Sequence, residues 1–242
     1  MNARPDGAVV IEGLRKTVAV GFRRRKVEIL TGVDLRVAEG EVFGLLGPNG
    51  AGKTTTLKIA LGLMRPTAGQ VRLGVQDHSA IGYLPENAYF YDYLSGRELL
   101  TFCGRLFGLS ASERSERARR LLSEIGLEQA ADLQLRKYSK GMLQRIGIAQ
   151  ALINDPQLVL LDEPMTGLDP IGRVEVKRII QRLGEEGKTV FFNSHILADV
   201  EELCSSIAIM RGGKVLWQGP VSDAKPVSGS SLEDFFMEVV SS

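Results

Sequence analysis

The segment Gly47-Pro48-Asn49-Gly50-Ala51-Gly52-Lys53-Thr54 is the first whose residue types and spacing suit chemistry. Glycines let backbone N–H groups converge on an anion without a Cβ in the way, and a helix opening at the end of the loop adds partial positive charge. The pattern fits a phosphate-binding loop, in which Lys53 reaches the β and γ phosphates and Thr54 offers its hydroxyl to Mg2+. Such a loop needs a strand that delivers a carboxylate to the metal. Leu158-Val159-Leu160-Leu161-Asp162-Glu163 provides one, four apolar residues followed by two acids. Asp162 is then the metal-holding candidate, and Glu163 the general base that orients and deprotonates an attacking water. A third segment, Tyr138-Ser139-Lys140-Gly141-Met142-Leu143-Gln144-Arg145, opens a helix with Met142, Ile146, Ala149 and Ile153 on its apolar face. It is a second helix N-terminus suited to an anion, without an obvious route to the phosphate loop of its own chain, so two copies could share one nucleotide. Taken alone, Ser139 reads equally well as an N-cap.

The elements that must carry these residues alternate between strand and helix. An extended stretch at 8–14 and the alternating Val33, Leu35 and Val37 read as antiparallel strands. Residues 41–46 form a short apolar strand ahead of the loop, and Leu57, Ala60, Leu61 and Met64 follow at helical spacing. Ser95 with Glu98, and Ser110 with Glu113, are capping boxes that open two helices, the second ended by Gly126. Segments 158–161 and, Thr189 apart, 189–192 are apolar, as buried parallel strands are, with the helical Val176, Ile179, Ile180 and Leu183 between them. A hairpin at 207–217 turns on Gly212 and Gly213. The expected fold is therefore α/β, with a small antiparallel layer and a helical insertion.

Composition narrows the function classes. The 242 residues are 44% hydrophobic and 24% charged, which excludes disorder as the main state. Lys plus Arg number 30 against 29 acids, so no basic excess points to duplex DNA. No apolar run approaches the roughly 18–20 residues that span a bilayer, and residues 1–12 lack a signal-peptide core, so the chain is expected in the cytosol. Cys103 and Cys204 have no Cys/His cluster around them and read as buried, reduced thiols.

Residues 47–54, 139–144, 158–163, Gly167-Leu168-Asp169-Pro170 and Asn193-Ser194-His195, in that order and with a helical insertion between the first two, resemble the ATP-binding subunit of an ABC transporter. The likeness covers nearly the whole chain. With Tyr83-Leu84-Pro85-Glu86 added, it resembles the branch paired with exporter-type membrane subunits. The resemblance implies a P-loop NTPase fold, a RecA-like mostly parallel sheet with an N-terminal antiparallel β layer and an inserted α-helical subdomain. It implies a single domain over 1–242: β layer and core at 1–86 and 143–225, helical subdomain at 87–142, short tail at 226–242. ATP and Mg2+ would be bound by Gly47, Pro48, Asn49, Gly50, Ala51, Gly52, Lys53, Thr54 and Thr55, with Asp162 and Glu86 also at the metal. Glu163, His195 and Lys53 would be catalytic. Ser139 and Gly141 would hold the γ phosphate of the ATP on the opposite subunit, and Asp169 would help to join the two sites. The implied assembly is a homodimer closing on ATP beneath a membrane-spanning permease subunit, at the cytoplasmic face of the membrane, with export the expected direction and no nucleic-acid partner. The alternative is a soluble ABC-type ATPase acting on nucleic acid or ribosomes.

Three features depart from the family pattern. Glu86 stands where the family carries Gln, and Lys140 and Met142 replace the second and fourth residues of Ser-Gly-Gly-Gln. The aromatic that stacks on adenine aligns with Val18, with Phe22 a few residues on. Tyr89, Phe90, Tyr91 and Tyr93 either dock a membrane partner or pack internally against Leu99 and Phe102. Arg23, Arg24, Arg25 and Lys26 read as a solvated turn or a contact to anionic lipid.

Overall fold

The computed structural model describes residues 6–21, 25–224 and 231–241. Its strands fall into two sheets. The first, of order β2-β1-β4, is antiparallel and consists of β1 (Val9–Val20), β2 (Arg25–Val37) and β4 (Ala68–Leu73). The second has the order β5-β6-β7-β3-β8-β9 and is built from β5 (Ile81–Leu84), β6 (Leu158–Asp162), β7 (Thr189–Ser194), β3 (Val42–Leu46), β8 (Ser206–Arg211) and β9 (Lys214–Pro220). All its pairings are parallel except β8 with β9.

Strands β3, β6 and β7 are buried along their whole length, which explains the apolar runs at 42–46, 158–161 and 190–192. Phe43 and Phe191 meet edge to face across the β3–β7 pair, 5.4 Å between ring centres. The register sets the carboxyl ends of four adjacent strands level: Leu84 faces Leu161, Asp162 faces Asn193, and Leu46 faces Ser194. Segments leaving those ends therefore converge, and in an open α/β sheet that edge is where ligands bind.

Helix α1 (Lys53–Ala60) follows the phosphate loop directly. It is shorter than its sequence suggested, because Gly62 turns the chain at φ 71°, so Leu61 only caps the helix and Met64 lies beyond it. Helices α2 (Gly96–Leu106) and α3 (Ala111–Glu124) begin at complete capping boxes on Ser95 and Ser110. Gly126, at φ 68°, ends α3 as Leu127 N–H reaches back to the Leu122 carbonyl, 2.8 Å.

Helix α4 (Lys140–Leu152) joins this helical region to the sheet. A Cβ on Gly147 would stand 2.7 Å from Leu84 of β5, so the close approach depends on glycine. Nearly every residue of α4 from Arg145 onward is buried, more than the one-sided stripe expected, because α2, α3, β5 and α5 surround it. Ile153, placed on that stripe by spacing, is buried as the C-cap. Helices α5 (Pro170–Glu185), α6 (Leu197–Leu203) and α7 (Leu232–Ser241) complete the chain. Among the described residues no helix is long and apolar enough to cross a membrane. Cys103 and Cys204 are free, the first buried and the second half-buried, and burial pushes the Cys103 thiol up to about 11.

Candidate functional site

A cavity of about 540 Å³ opens at the carboxyl edge of the sheet, walled by residues 48–55 together with Ile29, Glu86, Glu163, Thr166 and His195. The loop that forms its floor depends on glycine. Gly50 and Gly52 hold φ of 82° and 109°, and a Cβ on Gly52 would meet Leu30 at 2.6 Å and Met210 at 2.9 Å. A Cβ on Gly47 would run into the Met210 carbonyl. The turn of the β8–β9 hairpin braces the loop from outside, with Gly213 N–H donating to the Ala51 carbonyl at 3.0 Å. No side chain caps α1, so its N-terminal N–H groups are left available to an anion.

Lys53 is buried, and its Nζ donates to the Gly47 carbonyl at 2.7 Å and pairs with Glu163 Oε1 at 3.2 Å. Glu163 leaves the end of β6 at φ 52°, a left-handed conformation that costs a non-glycine residue on the order of 1–2 kcal/mol. Three partners hold it there. Besides Lys53, the Thr166 hydroxyl donates to Oε2 at 3.0 Å and the His195 Nδ1 lies 2.8 Å from the same oxygen. Because an ionised carboxylate only accepts, the imidazole N–H is the donor in that contact. The result is a fixed acid whose two oxygens link the phosphate loop to the segment after β7.

Asp162 is all but fully buried. Its Oδ1 accepts from the Thr54 hydroxyl at 2.9 Å and from Asn193 Nδ2 at 2.7 Å. Burial raises its pKa above the ordinary carboxylate range, opposed by these two hydrogen bonds and reinforced by the neighbouring Glu163 charge. The hydroxyl of Thr54, the carboxylate of Asp162 and the exposed carboxylate of Glu86 on the cavity wall are all hard oxygen donors, which fit a magnesium ion.

The other predicted residues lie apart. Ser139 is exposed and caps α4, its hydroxyl accepting from Met142 N–H at 3.2 Å; Gly141 follows in the first turn. Asp169, also exposed, caps α5 by accepting from Gly172 N–H at 2.8 Å. None of the three lines the cavity. They are instead near each other, since Gly141 approaches Gly172 and the Lys140 side chain lies over Gly167. The sequence thus pointed to two separate surfaces of one chain. Val18, the position aligned with an adenine-stacking aromatic, does not reach the cavity, where Ile29 of β2 forms the wall. Phe22, Arg23 and Arg24 lie outside the described residues, while Arg25 and Lys26 open β2 as exposed residues.

Sequence reasoning gave no role to Thr166, Asn193 or Ile29. Thr166 had one usable signal, a hydroxyl one helical turn from Glu163. Asn193 had another, a polar side chain that directly follows the apolar run 190–192. Ile29 had none, because only the packing of one sheet on the other brings it here. Of the aromatic group, Phe90 packs into the core beside Gly147, whereas Tyr89, Tyr91 and Tyr93 are exposed and Tyr91 meets Phe102 edge to face at 6.3 Å. A larger cleft of about 650 Å³, near Arg36, Glu39, Glu41 and Gln218, mixes opposed charges and holds none of the residues above.

Residues 30–166 match the family described as ABC transporter. The chain is 52% identical over 230 residues to an uncharacterized ABC transporter ATP-binding protein of Synechocystis sp., covering 90% of this chain and 65% of that one. It is 39% identical over 199 residues to the Nod factor export ATP-binding protein I of Cupriavidus metallidurans, covering 79% and 66% respectively. Among solved structures it is similar to a dimeric, post-hydrolysis ATP-binding cassette, MJ0796, bound to ADP and Pi, with a TM-score of 0.78, 27% identity, and coverage of 88% of this chain and 98% of that one. The chain spans about two thirds of the length of the curated relatives it matches. On its P-loop fold, its motifs and these similarities, the chain belongs to the ABC transporter family, as an ATP-binding protein.

Proposed function

We propose that the chain binds and hydrolyses ATP and that two copies, closing around two nucleotides, drive export of a substrate through a separate membrane-spanning permease subunit. The observation that carries the reading is Glu163, held at the cavity mouth by Lys53, Thr166 and His195. The loop N–H groups and the start of α1 bind the phosphates. A γ phosphate must compete with Glu163 for the Lys53 ammonium, and that exchange frees one carboxylate oxygen to accept a proton from water. His195 keeps the carboxylate oriented and offers its ring to the γ phosphate and the attacking water. Thr54, Asp162 and Glu86 would hold Mg2+, which supplies shielding of phosphate charge when bound.

Ser139 and Gly141 contribute to the partner's nucleotide and Asp169 joins the two sites, a reading supported by the exposure of Ser139 and Asp169 and by the approach of Gly141 to Gly172. The dimeric cassette to which the chain is similar supports the same assembly. The exposed Tyr89, Tyr91, Tyr93 and Phe102 suit docking of an apolar segment of the permease, with the helical region 87–142 carrying that contact. On this reading the chain sits peripherally at the cytoplasmic face of the membrane. The export direction rests on the resemblance and on the Nod factor export relative. No observation favours the nucleic-acid alternative.

The deciding experiment is Glu163→Gln. Equilibrium titration should show ATP binding retained, gel filtration an ATP-stabilised dimer, and steady-state assays a fall in hydrolysis of roughly a hundredfold or more. Unchanged turnover would remove Glu163 from its role.

A further inference from the structure

Beyond the residues that touch nucleotide, we propose that Asp199 is a positioning residue, which locks α6 to α5 and thereby fixes His195 against Glu163. The inference rests on the ATPase reading above. Helix α6 has seven residues and no side-chain cap at Ile196, and it begins two residues after His195. So short a helix is marginal by its own hydrogen bonds and takes its position from tertiary contacts. Among those contacts one is ionic and buried. Asp199 is 0% exposed, and both its oxygens accept from Arg173 Nη2 at 2.8 Å, while Lys177 Nζ stands 3.3 Å from Oδ1. Lys177 also pairs with Glu202, one turn further along α6. Two cations of α5 therefore grip two acids of α6.

The grip lies between the two functional segments. Arg173 is in the first turn of α5, and its N–H donates to the Asp169 carbonyl at 3.0 Å. Asp199 is four residues from His195, whose ring bonds Glu163. Hydrogen bonds and helix thus lead from Asp169 through Arg173 and Asp199 to the start of α6 at Leu197, and the short link 195–196 carries on from there to His195 and Glu163. A buried charge deprived of its partners destabilises its surroundings strongly, so this link favours one relative position of α5 and α6. Among the described residues, the only side-chain hydrogen bond of His195 is the one to Glu163.

The test uses the full chain and its two histidines, His78 and His195, whose ring resonances can be assigned with His195→Ala. Asp199→Asn keeps the volume of the side chain, and Arg173→Met breaks the same link from its more exposed end. Both should move the His195 ring 15N signals while leaving those of His78 in place. Both should lower kcat about tenfold with KM for ATP within about twofold, because the phosphate loop is untouched. In a His195→Ala background Asp199→Asn should change kcat by less than about twofold. Unmoved His195 signals in both variants would overturn the proposal, as would an effect of Asp199→Asn that multiplies unchanged onto His195→Ala. If the parent chain binds ATP but never turns it over, the ATPase reading fails, and the His195 signals alone then decide whether Asp199 positions that ring.

Discussion

At the phosphate loop, Lys53, Asp162, Glu163 and His195 all find partners within one chain, and three of the four are buried. At the start of α4, Ser139 satisfies only its own helix, the Lys140 side chain has neither a hydrogen bond nor an ion pair among the described residues, and both are exposed. The first region is a pre-organised receptor whose charges compensate one another. The second is a helix end with donors to spare. In the proposed dimer, that exposed end would meet an anion bound at the phosphate loop of a second copy.

Four substitutions can break or sharpen that contrast. The largest effect is expected from Lys53→Ala, which removes a buried cation from the receptor. ATP affinity measured by equilibrium titration should fall about a hundredfold, the scale of a lost charge-assisted contact. Next, Gly52→Ala forces a Cβ into Leu30 and Met210 at a strained φ, and should lower unfolding free energy by about 2 kcal/mol in a denaturant titration. Ser139→Ala sharpens the comparison from the other side. Hydrolysis should drop about tenfold, ATP affinity of the single chain should hold, and the ATP-dependent dimer should weaken in analytical ultracentrifugation. Loss of single-chain affinity would show that Ser139 belongs to the first region.

The smallest effect concerns the helical region. Ser95→Ala should cost about 1 kcal/mol as a lost N-cap. Its pH dependence follows from Glu98, whose carboxylate is held below its ordinary range by the Ser95 backbone N–H and hydroxyl. A lowered folded pKa adds stability that is fully present above the unfolded value and fades as pH falls through the folded one. The gap between parent and variant in thermal melts should therefore narrow on acidification.

Much of this was legible in the chain itself. The glycine loop, the apolar strand ending in Asp162 and Glu163, and both capping boxes are local devices, and local devices leave local signals. The helix after the loop was overextended because periodicity continued through Leu61 and Met64, whereas Gly62 reverses the chain there. Ile29, Thr166 and Asn193 escaped because their roles come from neighbours remote in sequence or from a turn whose shape was unknown. The aromatic cluster divided, Phe90 to the core and the tyrosines to the surface, a distinction no composition carries.

By itself the sequence determined which residues bear charge, which turns need glycine, and which strands must be covered on both faces, since those properties belong to single residues and short spacings. Only the tertiary structure decided that Glu163 would be held by Lys53 and His195 at once, and that Ser139 would lie outside the cavity of its own chain. Those outcomes depend on strand order and register, which place the ends of β3, β6 and β7 side by side, and on the path of α4 across β5. Long-range pairing of this kind is a property of the packed sheet, in which residues more than a hundred positions apart become neighbours.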